Sequence, residues 1–115
     1  MGQFPEFMRN PVNRIEAETQ YTKDIEGFVY DGIDESQMAF WTSPTGGASA
    51  EHIHPYDEYF VVVEGQYTLI IGEKRIPIGV GEEFFIPKGT SHSGVSLPGT
   101  RTIHAFGGKR ARRVG

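Results

Sequence analysis

From Phe28 onward, turn-forming residues interrupt this chain every seven to ten positions, and the stretches between them are rich in Val, Ile, Phe and Tyr. That rhythm constrains the fold more than any other feature. A helical domain needs apolar residues recurring with a period near 3.6 over ten or more positions, and no segment has that pattern strongly. The 15 glycines and seven prolines among 115 residues supply the turns instead. The pattern predicts short strands at 28–32, 36–43, 48–54, 57–65, 82–89, 91–99 and 100–108. Between them, residues 66–79 read as a hairpin turning at Gly72 and Glu73. Many short, regularly spaced strands define an all-β sandwich or barrel.

At 115 residues a single domain is expected, with enough buried surface for a core that needs no staples. The reading divides it into an N-terminal arm (1–27), a barrel (28–108) and a basic tail, "KRARRVG" (109–115). "VNRIEAETQY" in the arm has helical propensity but no apolar face. The arm is expected to pack across the domain or onto a second subunit. The tail reads as a solvated run, or one pairing with the acidic body, rather than a nucleic-acid patch. The net charge of −4 argues in the same direction. No run of about 18 apolar residues is present, so no membrane span is expected. The N-terminus lacks the apolar core of a signal peptide, and Glu6 breaks the myristoylation pattern that "MG" suggests. A cytoplasmic protein is expected.

The chain has no cysteine, so a metal would have to be held by His, Asp, Glu or backbone oxygen. Against that background "EHIHPYDEYFVVVEG" (51–65) stands out. Strand periodicity sends His52 and His54 to one face, together with the small Ala48 and Ala50. Glu58 follows a turn at Pro55, and Phe60 and Val62 share its face. A further candidate is His92, placed after the turn that Pro87 and Gly89 impose in "GEEFFIPKGTSH". Neutral imidazoles and one carboxylate suit a divalent transition metal. Taken singly, each histidine is more often a hydrogen-bonded strand residue than a ligand.

The spacing of these residues resembles the cupin superfamily. Its first motif is Gly, five residues, His-x-His, three or four residues, Glu, six residues, Gly. Gly46, His52, His54, Glu58 and Gly65 match every spacing. Its second motif is Gly, five residues, Pro-x-Gly, two residues, His, three residues, Asn. Gly81, Pro87, Gly89 and His92 match, while Ser96 stands where the family has Asn. The resemblance covers about residues 28–107. It implies a single-domain cupin β-barrel, or jelly roll, with one divalent metal ion (Fe, Mn, Ni, Zn, Co or Cu) held by His52, His54, Glu58 and His92. It also implies pairing into a homodimer.

Two more residues are candidates for the site. In "TRTIHAFGG" alternation groups Thr102, His104 and Phe106 on one face. His104 is a candidate acid/base or substrate contact, set against a core or interface histidine bonded to backbone. Phe60, sharing the Glu58 face, is the candidate wall of a substrate pocket. The expected function is therefore that of a metal-dependent enzyme acting on a small oxygenated organic molecule, of dioxygenase, isomerase or decarboxylase type. The alternative is a non-catalytic module that binds or senses a small molecule or sugar. A scaffold with a vestigial site ranks below both, since all four ligand types are present. No helix-turn-helix pattern accompanies the barrel.

Overall fold

The computed structural model of the chain describes residues 2–16 and 24–114. Among the described residues of the arm, two 3-10 turns form, Glu6–Arg9 and Pro11–Asn13. Residues 17–21 of the segment with helical propensity fall outside the described residues. Nine strands follow among the described residues: β1 (Glu26–Asp31), β2 (Gln37–Ser43), β3 (Gly47–Ala48), β4 (Glu58–Glu64), β5 (Tyr67–Ile71), β6 (Lys74–Ile78), β7 (Glu83–Ile86), β8 (Ser93–Ser96) and β9 (Thr100–Phe106). They form two antiparallel sheets, ordered β1-β2-β9-β4-β7 and β3-β8-β5-β6. This is the all-β, two-sheet fold that the turn rhythm predicts, in the jelly-roll arrangement that the cupin resemblance implies. No described helix is long and apolar enough to cross a membrane.

Strict alternation sets which residues enter the barrel. β2 turns Gln37, Ala39, Trp41 and Ser43 inward, β4 turns Glu58 and Phe60 inward, and β9 buries Thr100, Thr102, His104 and Phe106. The register places Phe60 opposite His104, and Glu58 opposite Phe106. The interior is therefore mixed, with a polar band running through it. One apolar cluster joins Ile15, Val29, Ala39, Trp41 and Phe106; the other joins Phe60, Val62, Leu69, Ile78 and Ile86. Each large apolar side chain so buried contributes about 1.5–3 kcal/mol.

The hairpin forms where expected. Ile71 pairs with Lys74 across a two-residue turn whose Gly72 has φ +61°. Gly65 is required at its turn: its φ is +82°, and a Cβ there would lie 2.8 Å from the Thr100 Cα.

The strand expected over 48–54 is a departure. Regular pairing with β8 stops at Ala48; beyond it Ser49 N–H still donates to the Gly94 carbonyl at 2.8 Å, and an isolated bridge joins His52 and His92. Ser49 breaks the ladder: its Oγ accepts the Gly94 N–H at 2.9 Å, the bond a strand carbonyl would otherwise take. Side-chain parity slips there. Ala48 and Ala50 are exposed, and Ser49 turns toward the interior in their place.

Arm and tail are both tied to the barrel. Ile15 is buried and its N–H donates to the Gly27 carbonyl at 3.0 Å. The Phe4 ring packs on Phe40 at 5.6 Å. The arm and tail backbones pair through Glu16 N to Arg112 O and Val114 N to Arg14 O, both 2.8 Å. Arg113 donates to Asp31 Oδ2 at 2.7 Å. The buried Gln37 amide accepts from Arg110 N at 2.7 Å and Ala111 N at 2.8 Å, and donates to Asp31 Oδ1 at 3.0 Å. Hydrogen bonds from Gln37, and then from Arg113, hold the Asp31 carboxyl below the usual carboxylate range.

Candidate metal centre

The site is assembled by the bridge that replaces the missing strand. His52 and His92 exchange both backbone hydrogen bonds, N to O, at 2.9 Å each. That contact brings two residues 40 positions apart within 4.4 Å, ring centre to ring centre. His54, two residues along, places its ring 4.8 Å from His52 and 5.4 Å from His92. The ligand atoms of the three rings all lie within 4.8 Å of one another. Tyr56 stacks on His54 at 4.9 Å, nearly parallel, and Gly89 N donates to the His54 carbonyl at 2.9 Å.

Two of the rings have their tautomer fixed by backbone. His52 Nδ1 donates to Ala50 O at 2.7 Å, and His92 Nδ1 donates to Thr90 O at 2.9 Å. With the proton on Nδ1, a neutral ring presents the Nε2 lone pair, the form that binds a metal. Burial lowers the His52 pKa, and burial lowers that of His54 to about 4. Both rings are therefore neutral near pH 7.

Glu58, 6 % exposed, sits at the start of β4 beside the cluster. Its Oε1 lies 3.6 Å from His54 Nε2 and 3.5 Å from His92 Nε2, and it is buried without a hydrogen-bond partner. Its Oε2 accepts from His104 Nδ1 at 2.7 Å. Burial pushes this carboxyl up, but the His104 hydrogen bond and the nearby His92 imidazole outweigh burial and hold it well below the usual range. His92 moves the other way. Burial opposes its protonation, yet the nearby Glu58 carboxylate and the bond to the Thr90 carbonyl raise its pKa. The donor set fits a divalent ion: an orphaned carboxylate oxygen faces two imidazole nitrogens at separations too long for short hydrogen bonds.

His104 faces inward, 7 % exposed. Its partners are side chains rather than backbone: Nδ1–H donates to Glu58, and Nε2 accepts from the Thr102 hydroxyl at 2.9 Å. Its ring stacks between Phe60 at 5.0 Å and Phe106 at 5.7 Å. Phe60 is fully buried with Val62 and Leu69, and it backs the site through His104 instead of lining the cavity beside it.

That cavity measures about 60 Å³ and touches His52, Glu58, His92 and His104. Tyr67, one of the aromatics that could shape a pocket, also lines it, as do Ser49 and Arg110, which the sequence reading did not single out. Tyr67 belongs to the 66–79 hairpin, and its ring reaches the interior because Gly94 across the sheet offers no Cβ to block it. Arg110 lies in the basic run. The signal available for it was its position four residues beyond Phe106, the last residue of β9.

Three histidines and a carboxylate thus converge inside a small two-sheet antiparallel β-barrel, in a cluster that could hold a metal ion. A family model described as the cupin domain matches residues 39–105, and the chain belongs to that family. Solved structures agree on the fold. KdgF from Halomonas sp. superposes with TM-score 0.64 at 21 % identity, covering 78 % of this chain and 82 % of its own. An RmlC-like cupin from Shewanella frigidimarina gives TM-score 0.65 at 20 % identity, covering 82 % of this chain and 92 % of its own. A cupin-2 domain protein from the same organism gives 0.58 at 25 % identity, covering 70 % and 76 %. No curated protein sequence matches the chain.

Proposed function

We propose that this cupin holds one divalent transition metal ion through His52, His54, His92 and Glu58, and acts on a small oxygenated organic molecule bound beside it. The observation that carries the reading is Glu58 Oε1, buried without a hydrogen-bond partner and 3.5–3.6 Å from two imidazole nitrogens. When bound, the metal would polarise a substrate oxygen as a Lewis acid. The chain's own residues hold that arrangement. The Ala50 and Thr90 carbonyls keep His52 and His92 in the ligating tautomer. His104 turns the Glu58 carboxylate, and Phe60 and Phe106 clamp the His104 ring. The reaction belongs to the dioxygenase, isomerase or decarboxylase type.

One observation favours the second reading, a non-catalytic small-molecule module. His104 is bonded at both ring nitrogens, so it offers no ready acid or base to a ligand. Metal-loaded protein tested against diketones, organic acids and phenolics separates the two. Turnover supports the enzyme; saturable binding of a compound without turnover supports the module.

A further inference from the structure

The cavity beside the histidine cluster extends away from it along the barrel interior. His52, Glu58 and His92 line one part, and Ser43, Ser96 and Thr100 line another. Strand register places these two groups at opposite ends. On β9, Thr100 pairs with Ser43, whereas Phe106 at the other end of the strand stands opposite Glu58. On the small sheet, Ser96 pairs with Gly47 and Tyr67 at the far end of β8 from His92. The carboxylate and the guanidinium among the described lining residues both belong to the histidine end. Glu58 borders the cluster, and the Arg110 guanidinium carbon sits 5.9 Å from the centre of the Phe106 ring. The far end presents neutral hydroxyls.

One of those hydroxyls differs from its neighbours. Ser43 is 4 % exposed, and its Oγ is buried with no hydrogen-bond partner among the described residues. The groups around it are already engaged. Its own carbonyl accepts the Gly46 and Gly99 N–H groups at 3.3 and 2.9 Å. The Thr100 hydroxyl, on the paired residue, donates to the Leu97 carbonyl at 2.7 Å and accepts the Gln66 N–H at 3.3 Å. Pairing of β2 with β9 holds the Ser43 backbone, and strand alternation keeps its side chain inward. Buried hydroxyls are ordinarily satisfied, and leaving one unbonded is costly. An oxygen atom of a guest in the cavity would supply the bond.

The cavity also limits the guest. One enclosed water needs about 10–15 Å³, so a cavity of about 60 Å³ holds about four to six water-sized groups. So small a space that still reaches from His52 to Ser43 admits a slender chain and no ring.

We infer that the ligand is an unbranched molecule of about four to six non-hydrogen atoms with oxygen at both ends, one oxygen meeting the histidine cluster and the other, an uncharged hydroxyl or carbonyl, bonded to Ser43. This deepens the metal reading and rests on it for the near end; Ser43 supplies the far end independently. A monofunctional acid or ketone of equal length would fill the space but leave the Ser43 hydroxyl unbonded, the situation in which polar sites discriminate.

The test is isothermal titration of two matched pairs, in which a methyl group replaces the far hydroxyl: 3-hydroxypropionate against butyrate, and 4-hydroxybutan-2-one against pentan-2-one. The proteins are wild type and Ser43→Ala, each with cobalt(II) and metal-free. Wild type is expected to bind the hydroxyl member of at least one pair about tenfold more tightly than its methyl counterpart, and Ser43→Ala to reduce that ratio below about threefold. Cobalt(II) stoichiometry is expected to be equal in the two proteins. The urea midpoint of ligand-free Ser43→Ala is expected at or above that of wild type, because an unbonded buried hydroxyl stabilises nothing. A lower midpoint would give the hydroxyl a structural partner and overturn the inference. So would equal binding within both pairs, a preference that survives in Ser43→Ala, or no binding of any of the four compounds. A Ser43-dependent preference in protein that takes up no cobalt(II) supports the hydroxyl site and removes the metal reading. Full cobalt(II) uptake with no such preference removes the inference and leaves the metal reading standing.

Discussion

His104 and Glu58 are joined by a buried hydrogen bond of 2.7 Å from Nδ1 to Oε2, which leaves Oε1 facing the histidine cluster. The Thr102 hydroxyl completes the chain on the far side of the His104 ring. A carboxylate held at one oxygen cannot rotate the other away, so His104 would act on a bound metal through Glu58. Replacing His104 with Leu is expected to weaken metal affinity about tenfold to a hundredfold, the usual effect of losing such a supporting bond. His104→Asn keeps an N–H near Oε2 and is expected to retain most of the affinity. Thr102→Val is expected to lose less than His104→Leu. Chelator competition reads all three, with circular dichroism confirming the fold; wild-type affinity in His104→Leu would refute the role.

The metal-free protein is expected to lose stability as pH falls from about 6.5 to about 4. His54 is neutral when folded until about pH 4, whereas it protonates near 6.5 when unfolded. The unfolded chain therefore binds more protons across that window, and stability drops with pH. Glu58, depressed in the fold, adds a loss of the same sign below its unfolded value of 4.5. His92 opposes both: its raised pKa contributes stability below 6.5 that is lost as pH rises through its folded value. Urea titrations at half-unit intervals measure the slope, and His54→Gln should flatten it. A flat wild-type profile from pH 6.5 to 4 would contradict this account.

Metal should counteract the acid loss near neutrality and fail at lower pH. Binding to the folded state alone stabilises it by mass action. Protons compete for the same imidazole nitrogens, with His92 the first to take one. The rise in melting temperature on adding metal is thus expected to shrink between pH 7.5 and 5. An increment that does not vary with pH would place the metal away from the histidines.

Gly94→Ala is a packing test two residues along the chain from His92. The new Cβ would fall on the Tyr67 phenol, in the wall of the cavity. Overpacking of this kind costs about 1–3 kcal/mol. Urea denaturation should show a midpoint shift of that order. An unchanged midpoint would mean the hairpin yields easily.

A homodimer remains the expectation for assembly. The outer face of the large sheet carries Met38, Tyr59 and Phe85, all exposed, with Tyr59 and Phe85 directly paired across β4 and β7. Light scattering should give about twice the 12.8 kDa chain mass, and Phe85→Glu should shift it toward the monomer. A wild-type mass of 12.8 kDa would remove the proposal.

What the sequence made legible follows from what is local in it. Turn spacing located the hairpin at 66–79, and the distances between Gly, His, Glu and Pro located the three histidines that the structure gathers. What it concealed depends on partners. The run 48–54 reads as one strand, yet a single side-chain bond from Ser49 ends the ladder. Parity put His104 on the Thr102–Phe106 face but could not name its partner, because Glu58 stands opposite Phe106 and meets His104 diagonally. Arg110 was hidden in a basic run that reads as solvated until Gln37 is seen to hold its backbone against the barrel.

The most direct test of the central claim is metal content per chain. Untagged protein, stripped and reloaded with iron, manganese, nickel, cobalt or zinc, is desalted and assayed by elemental mass spectrometry. The account predicts about one ion per chain for at least one of these metals, and far less in His52→Ala and His92→Ala proteins that keep the wild-type circular dichroism. Far less than one ion per wild-type chain for every metal, or full occupancy in His92→Ala, would contradict it.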